Sequence, residues 1–203
     1  MRVFRFSAFI LLLIVFAACD EPGAQSYENE VLQERLEKDM EMRDSDRSVL
    51  TREARERFTG LRYFSVDETY RFELELEREE SPESVWMEQR VGDPIEHTRV
   101  GHIDVPFPEG TKRLSVFRPA GSSADDMYWL PFQDATTGER TYSAGRYLDI
   151  KYQGDGTVLA DFNRAYNPLC EYNPEEYTCS LPPEQNELSI PVEAGEKKSH
   201  INM

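Results

Sequence analysis

Between residues 70 and 77 apolar and charged side chains alternate without a break: Tyr70, Phe72, Leu74 and Leu76 interleave with Arg71, Glu73, Glu75 and Glu77. A period of two places the apolar set on one face and the charges on the other, which describes a half-buried strand. Shorter runs of strand type follow at residues 85–89, 95–105, 113–117, 127–132, 146–152, 157–163 and 188–192. Eight short strands punctuated by Gly and Pro predict a mainly β fold, α+β by count. The expected form is an antiparallel β-sandwich or barrel-like domain, not a parallel α/β sheet.

Upstream the periodicity is helical. Over residues 27–43, Val31, Leu32, Leu36 and Met40 recur at helical intervals, and Glu34 stands four residues before Lys38, a favourable pairing. A second short helix is expected over residues 52–59, with Thr51 as N-cap, Ala54 and Phe58 on one face and Gly60 as the stop. One or two N-terminal helices are thus expected to pack as accessories on the β domain.

The N-terminus reads as an export signal. Arg2 and Arg5 lead into an apolar stretch over residues 6–16 that falls short of the ~20 residues needed to span a bilayer. It ends in Phe16-Ala17-Ala18-Cys19, two small residues directly before a cysteine, which is similar to a bacterial lipobox. That pattern prefers Leu, Val or Ile where Phe16 stands, and ordinary signal cleavage would want a small residue there. Cys19 is therefore the expected lipidated first residue, and its acyl chains would anchor the protein stably. The expected organisation is a lipoprotein signal peptide over 1–18, a tether over 19–26, a helical segment over 27–60, a β-rich domain over 61–194 and a flexible tail over 195–203. The expected location is the bacterial cell envelope, facing the periplasm or exterior.

Charge narrows the partners. The 203 residues include 23 basic and 39 acidic side chains, a net of -16. Such a chain repels phosphate backbones and anionic headgroups, which argues against nucleic acid. With Cys19 lipidated, Cys170 and Cys179 remain as an even pair in an exported protein, expected to form a disulfide. Closing so short a loop contributes about 2–3 kcal/mol in the chain-entropy model. A metal site would need further ligands, and no histidine or third cysteine stands nearby.

Residues 164–187 show neither strand nor helix pattern and hold two Asn-Pro steps and Pro182-Pro183. Long irregular segments in compact domains tend to carry function, so a site is expected here. Several stretches of the second half are distinctive. They are residues 130–142 from Leu130-Pro131-Phe132 through Asp134, Thr136 and Gly138 to Tyr142, then Gly145-Arg146-Tyr147-Leu148-Asp149, then residues 161–168 from Asp161-Phe162-Asn163-Arg164 to Tyr166-Asn167-Pro168. Together with Cys170, Cys179, Pro182-Pro183 and Asn186, and with the upstream residues 58–64 and Val66-Asp67, they resemble the bacterial family known as domain of unknown function 1684. The resemblance spans residues 27–197 and implies a short form, lacking a Trp- and Gly-rich segment found in many members between the first helix and Phe58. It implies no particular activity.

The chemistry is sparse. Of the three histidines, His200 lies in the tail, while strand parity puts His97 and His102 on opposite faces, so neither shared metal binding nor a base for a serine nucleophile is expected. No nucleophile elbow or phosphate-cradling glycine loop occurs, and no cofactor or metal is expected. Tyr142, Tyr147, Tyr166, Asn163 and Asn167, with Asp134, Thr136, Arg146 and Arg164, form a polar-aromatic set suited to a small polar or anionic ligand. The Gly154-Asp155-Gly156 turn should join strands 146–152 and 157–163 in a hairpin that places Tyr152 across from Val158 and Asp149 across from Asp161. Two facing carboxylates demand an arginine, a cation or a raised pKa, which makes Asp149 and Asp161 the candidate catalytic pair. The leading expectation is a lipid-anchored envelope protein whose β-rich domain binds a small polar ligand or envelope partner. A carboxylate-dependent envelope hydrolase and a purely structural lipoprotein are the alternatives.

Overall fold

The computed structural model describes residues 22–44, 46–118 and 127–201; the expected export signal and Cys19 lie outside the described residues. Helices α1 (Pro22–Arg43) and α2 (Arg52–Arg57) precede strands β1 (Arg71–Glu75), β2 (Glu77–Met87), β3 (Ile95–Phe107), β4 (Gly110–Arg118), β5 (Met127–Phe132), β6 (Arg146–Tyr152) and β7 (Thr157–Asp161), and a one-turn helix α3 (Leu169–Tyr172) follows. The strands form one antiparallel sheet in the order β1-β7-β6-β5-β4-β3-β2. β1 pairs with β7 and β2 with β3, yet only Leu76 separates β1 from β2 in sequence. One stretch of chain therefore borders both ends of the sheet, which curls into an unclosed, barrel-like form. At that passage Gly101 lies against the Glu77 carbonyl, and any Cβ there would collide with it.

The interior takes the inward face of each strand: Leu76, Val105, Leu114, Val116, Leu130, Phe132, Leu148, Ile150, Val158 and Phe162 are all buried in one cluster. Each such side chain contributes about 1.5–3 kcal/mol when removed from water. The expected strand at residues 188–192 does not form. Its alternation is real, since Leu188, Ile190, Val192 and Ala194 enter the same core. However, the segment runs beside residues 133–135 through Leu188 N–H to Gln133 O (2.8 Å) and Ala135 N–H to Ile190 O (3.0 Å). Pro191, without an N–H, cannot extend that pairing into a ladder.

α1 buries a different face from the one its leucines mark. Tyr27, Val31 and Met42 are buried, whereas Leu32, Leu36 and Met40 are exposed. Polar anchors choose the face: the Tyr27 hydroxyl reaches both Asp161 oxygens at 2.8 Å, Arg35 donates to the Phe64 carbonyl (3.0 Å), and Lys38 pairs with buried Glu196 (2.5 Å). The expected Glu34–Lys38 pair is given up, because Glu34 instead binds Arg164 at 2.8 Å. An exposed i,i+4 pair is worth only about 0.3–0.5 kcal/mol, less than a charge-assisted bond to a buried partner.

α2 begins at Thr51, whose hydroxyl accepts from Ala54 N–H at 3.2 Å, as its sequence suggests. Gly60 is not its stop. The helix ends at Arg57, and Gly60, at φ +124°, lets Asp39 approach to 2.9 Å from where a Cβ would stand. The C-terminal segment, expected to be flexible from Gly195, is packed as far as residue 201. Glu196 is buried, Ser199 N–H donates to Glu171 (2.7 Å), and Ile201 joins Met42, Leu50, Ala54, Phe58 and Tyr172 in a second core.

Candidate functional site

The outward faces of β5 and β6 carry Trp129, Tyr147 and Asp149, in alternation with the core residues Leu130, Leu148 and Ile150. The segment after β7 folds back over this face. Tyr147 and Tyr166 exchange backbone hydrogen bonds at 2.9 Å, and Arg90 N–H to Cys179 O (2.8 Å) and Leu181 N–H to Glu88 O (2.7 Å) tie its far end to the end of β2. Cys170 and Cys179 are joined by a disulfide with Cα atoms 6.0 Å apart. Between sheet and segment lies a cleft of about 410 Å³, lined by Gln89, Ile95, His97, Trp129, Tyr147, Asp149, Tyr166, Pro168, Leu169, Tyr177, Thr178, Cys179 and Ser180. Its volume falls within the range of small-molecule sites.

A bulge puts His97 there. The β3–β4 register shifts between Arg99 and Gly101, so parity reverses along β3 and His97 points out of the core, stacked on Trp129 with ring centroids 5.0 Å apart. His102 lies on the same outer face, against the sequence expectation. It stands apart, however, 3.4 Å from Glu79 and across from Ser115. Within the cleft, His97 Nε2 is 2.9 Å from Ser180 Oγ, and Gln89 Nε2 donates to the same oxygen at 2.6 Å. His97 Nδ1 is buried without a partner. The ring is held by this one polar contact through Nε2 and by the face of Trp129. Burial also holds the His97 pKa below its ordinary value, keeping the ring neutral. The Tyr147 hydroxyl donates to the Ser180 carbonyl at 2.7 Å. Ser180 Oγ thus accepts from the Gln89 amide and shares a hydrogen bond with the His97 ring.

Asp149 lies open to solvent through the cleft mouth, yet protein surrounds it on its other sides. That desolvation raises its pKa, opposed by the Tyr166 hydroxyl bonded to Oδ1 at 2.9 Å and by the more distant charge of Lys38. The Asp149–Asp161 pair does not form. The hairpin starts in the expected register, Tyr152 across from Val158, but its ladder ends after Lys151–Leu159. Beyond that point β7 gives way to a 3-10 turn at Phe162–Arg164, and Asp161 stands in register with Arg71 of β1. Asp161 is bound beneath α1 by Tyr27 and Arg164, away from the cleft.

Other residues singled out in the sequence serve the architecture. Arg146, 1% exposed, pairs with Asp134 (2.7 Å) and donates to the carbonyls of Val192 (2.9 Å), Ala194 and Glu196 (3.3 Å). Asp134 also accepts from the Thr136 hydroxyl at 2.6 Å and Val192 N–H at 3.1 Å. Asn163 clamps Asp67, with its Oδ1 accepting at 2.9 Å and its Nδ2 donating at 2.8 Å, and Asn167 holds the Lys197 carbonyl at 2.8 Å. Tyr142 reaches Cys170 Sγ at 3.6 Å. Arg164 is taken by Asp161, Glu30 and Glu34. The two arginines expected to meet an anion are therefore both outside the cleft. Gln89, Trp129, Tyr177 and Ser180 were not singled out, and His97 was weighed only as a metal ligand or base and set aside. Trp129 alone carried a signal, as the one aromatic on the outward register of a strand otherwise apolar through both faces.

Fold and cleft together define a barrel-like antiparallel β domain with an aromatic pocket on its outer face. The chain belongs to the family described as protein of unknown function (DUF1684), whose model matches residues 56–197. All seven strands and every residue lining the cleft fall within that span, and α1 lies outside it. The chain is also similar to the solution NMR structure of an uncharacterised protein from Haloarcula marismortui, with 33% sequence identity, a TM-score of 0.65, and coverage of 86% of this chain and 96% of that one. No curated protein matches.

Proposed function

We propose that this is a lipid-anchored envelope protein whose β domain holds a small ligand in the cleft beneath the disulfide loop. The observation that carries the reading is the cleft itself: ring-lined, about 410 Å³ in volume, with polar groups converging from three separate parts of the chain. Ser180 offers a hydroxyl, Asp149 an acceptor, and Trp129, Tyr147 and Tyr177 the apolar walls. The lipobox-like run ending at Cys19 supports the anchor, and no helix among the described residues is long and apolar enough to cross a membrane.

Trp129 reports on occupancy once the other tryptophan, the exposed Trp86, is replaced. In a Trp86→Phe protein, one-ring fragments of each charge type at millimolar concentration should shift or quench the remaining emission. Emission unmoved by the whole panel counts against the cleft as a ligand site. Separately, Cys19→Ser should abolish incorporation of labelled palmitate and release the protein from membranes or leave it uncleaved; equal labelling of the variant would refute the anchor.

A further inference from the structure

We infer that the ligand is an organic cation, an ammonium group on a small apolar body, held in the cleft with Asp149 as its counter-ion. This rests on the reading of the cleft as a small-molecule site and goes beyond it by naming the ligand's charge.

The argument is one of unbalanced charge. No lysine or arginine lines the cleft; among its lining residues only Asp149 carries a formal charge, since His97 is neutral. Three other buried carboxylates of the second half are each matched by a cation, Asp134 by Arg146, Asp161 by Arg164 and Glu196 by Lys38, and a fourth, Glu171, accepts the Ser199 N–H. Among the described residues no ion pair reaches Asp149, and its one side-chain hydrogen bond, from Tyr166, engages Oδ1. Lys38, whose field reaches Asp149, is held 2.5 Å from Glu196 and is not a cleft group.

A carboxylate crowded by protein and left short of positive charge is stabilised by any cation that enters. The walls favour the same occupant. Trp129, Tyr147, Tyr166 and Tyr177 line the cleft, and an ammonium over an aromatic face is attracted by the negative face of the ring. An anion would meet Asp149 with like charge, and a neutral body would cover the carboxylate without compensating it. A bare metal ion fits poorly, because hard cations take several oxygen ligands and the cleft offers one carboxylate. The chain's net charge of -16 adds a long-range bias toward cations.

Three probes with the same ring separate the possibilities: benzyltrimethylammonium, benzyl alcohol and phenylacetate, each titrated against Trp129 emission in the full-length Trp86→Phe protein. Benzyltrimethylammonium should bind at least about tenfold more tightly than benzyl alcohol, with phenylacetate weakest. Adding Asp149→Asn should erase that order, with thermal unfolding confirming that the variant is folded. Benzyl alcohol or phenylacetate binding as tightly as the cation, or a preference that survives Asp149→Asn, overturns the cation assignment and leaves the small-ligand reading standing. No response to any of the three removes both.

Discussion

Arg146 and Asp149 stand on the same strand and meet opposite fates. Arg146 faces the interior, is 1% exposed, and finds a carboxylate and three carbonyls waiting for it. It ties residues 192–196, which belong to no strand, to the end of the sheet. Asp149 faces the cleft, keeps contact with solvent, and has a tyrosine hydroxyl but, among the described residues, no paired cation. Both are charges brought close to apolar surroundings, where charge is costly unless matched. The difference shows that burial by itself does not mark a site: a charge whose partners are all supplied by the chain is architecture, and a charge left short of one is where a second molecule can contribute.

The contrast can be broken most severely at Arg146. Arg146→Met should leave Asp134 charged and unpaired and release the carbonyls it holds, lowering stability by about 3–5 kcal/mol, read as the loss of midpoint in urea unfolding. An effect below about 1 kcal/mol would show that the C-terminal segment is held by its apolar contacts alone.

Glu171 gives an intermediate case. It is buried beside the disulfide, and desolvation pushes its pKa up to about 7 despite the Ser199 N–H it accepts at 2.7 Å. Between the ordinary glutamate value of 4.5 and about 7, the folded chain holds a proton that the unfolded chain has released. Its contribution to stability is therefore lost as pH rises through that window, by on the order of 1–2 kcal/mol after solvent screening. His97 acts in the opposite sense: its depressed pKa makes stability fall as pH drops below 6.5. Glu171→Gln, which keeps an oxygen for Ser199, should remove the first slope and leave the second, as measured by Tm across pH 4–8.

Asp149→Asn should have the smallest effect on stability, within about 0.5 kcal/mol and not destabilising, because the protein crowding this solvent-exposed carboxylate already disfavours the charge being removed. A loss comparable to that of Arg146→Met would place Asp149 with the architecture and end the distinction between the two.

Much of the sheet was legible. The strict alternation from Tyr70 to Glu77 and the repeated short apolar runs depend only on neighbours two residues apart, and those contacts survive into any sheet. The disulfide was legible from parity of cysteines, and the turn-end hairpin register from Gly154-Asp155-Gly156, which sets Tyr152 across from Val158. Legibility failed where a distant group outbid a local one. The leucines of α1 face solvent because Asp161, Glu196 and the Phe64 carbonyl draw Tyr27, Lys38 and Arg35 inward. Residues 188–192 alternate like a strand yet fill the core beside residues 133–135.

The sequence by itself determined the faces of the strands away from the β3 bulge, the two helices, the cysteine pair and the acidic character of the surface, all of them properties of near neighbours or of composition. Only the tertiary structure decided the cleft. His97, Trp129 and Asp149 come from three strands and Gln89 and Ser180 from two connecting segments, and no periodicity links them. A single register shift between Arg99 and Gly101 turned His97 from the core to the outer face, where parity alone would have placed it inside. The pairing of each arginine was decided in the same way: Arg146 and Arg164 were spent on carboxylates within the fold, and Asp149 was left without one. Charge balance at a point in space depends on which chain segments meet there, and that is fixed by packing, not by order along the chain.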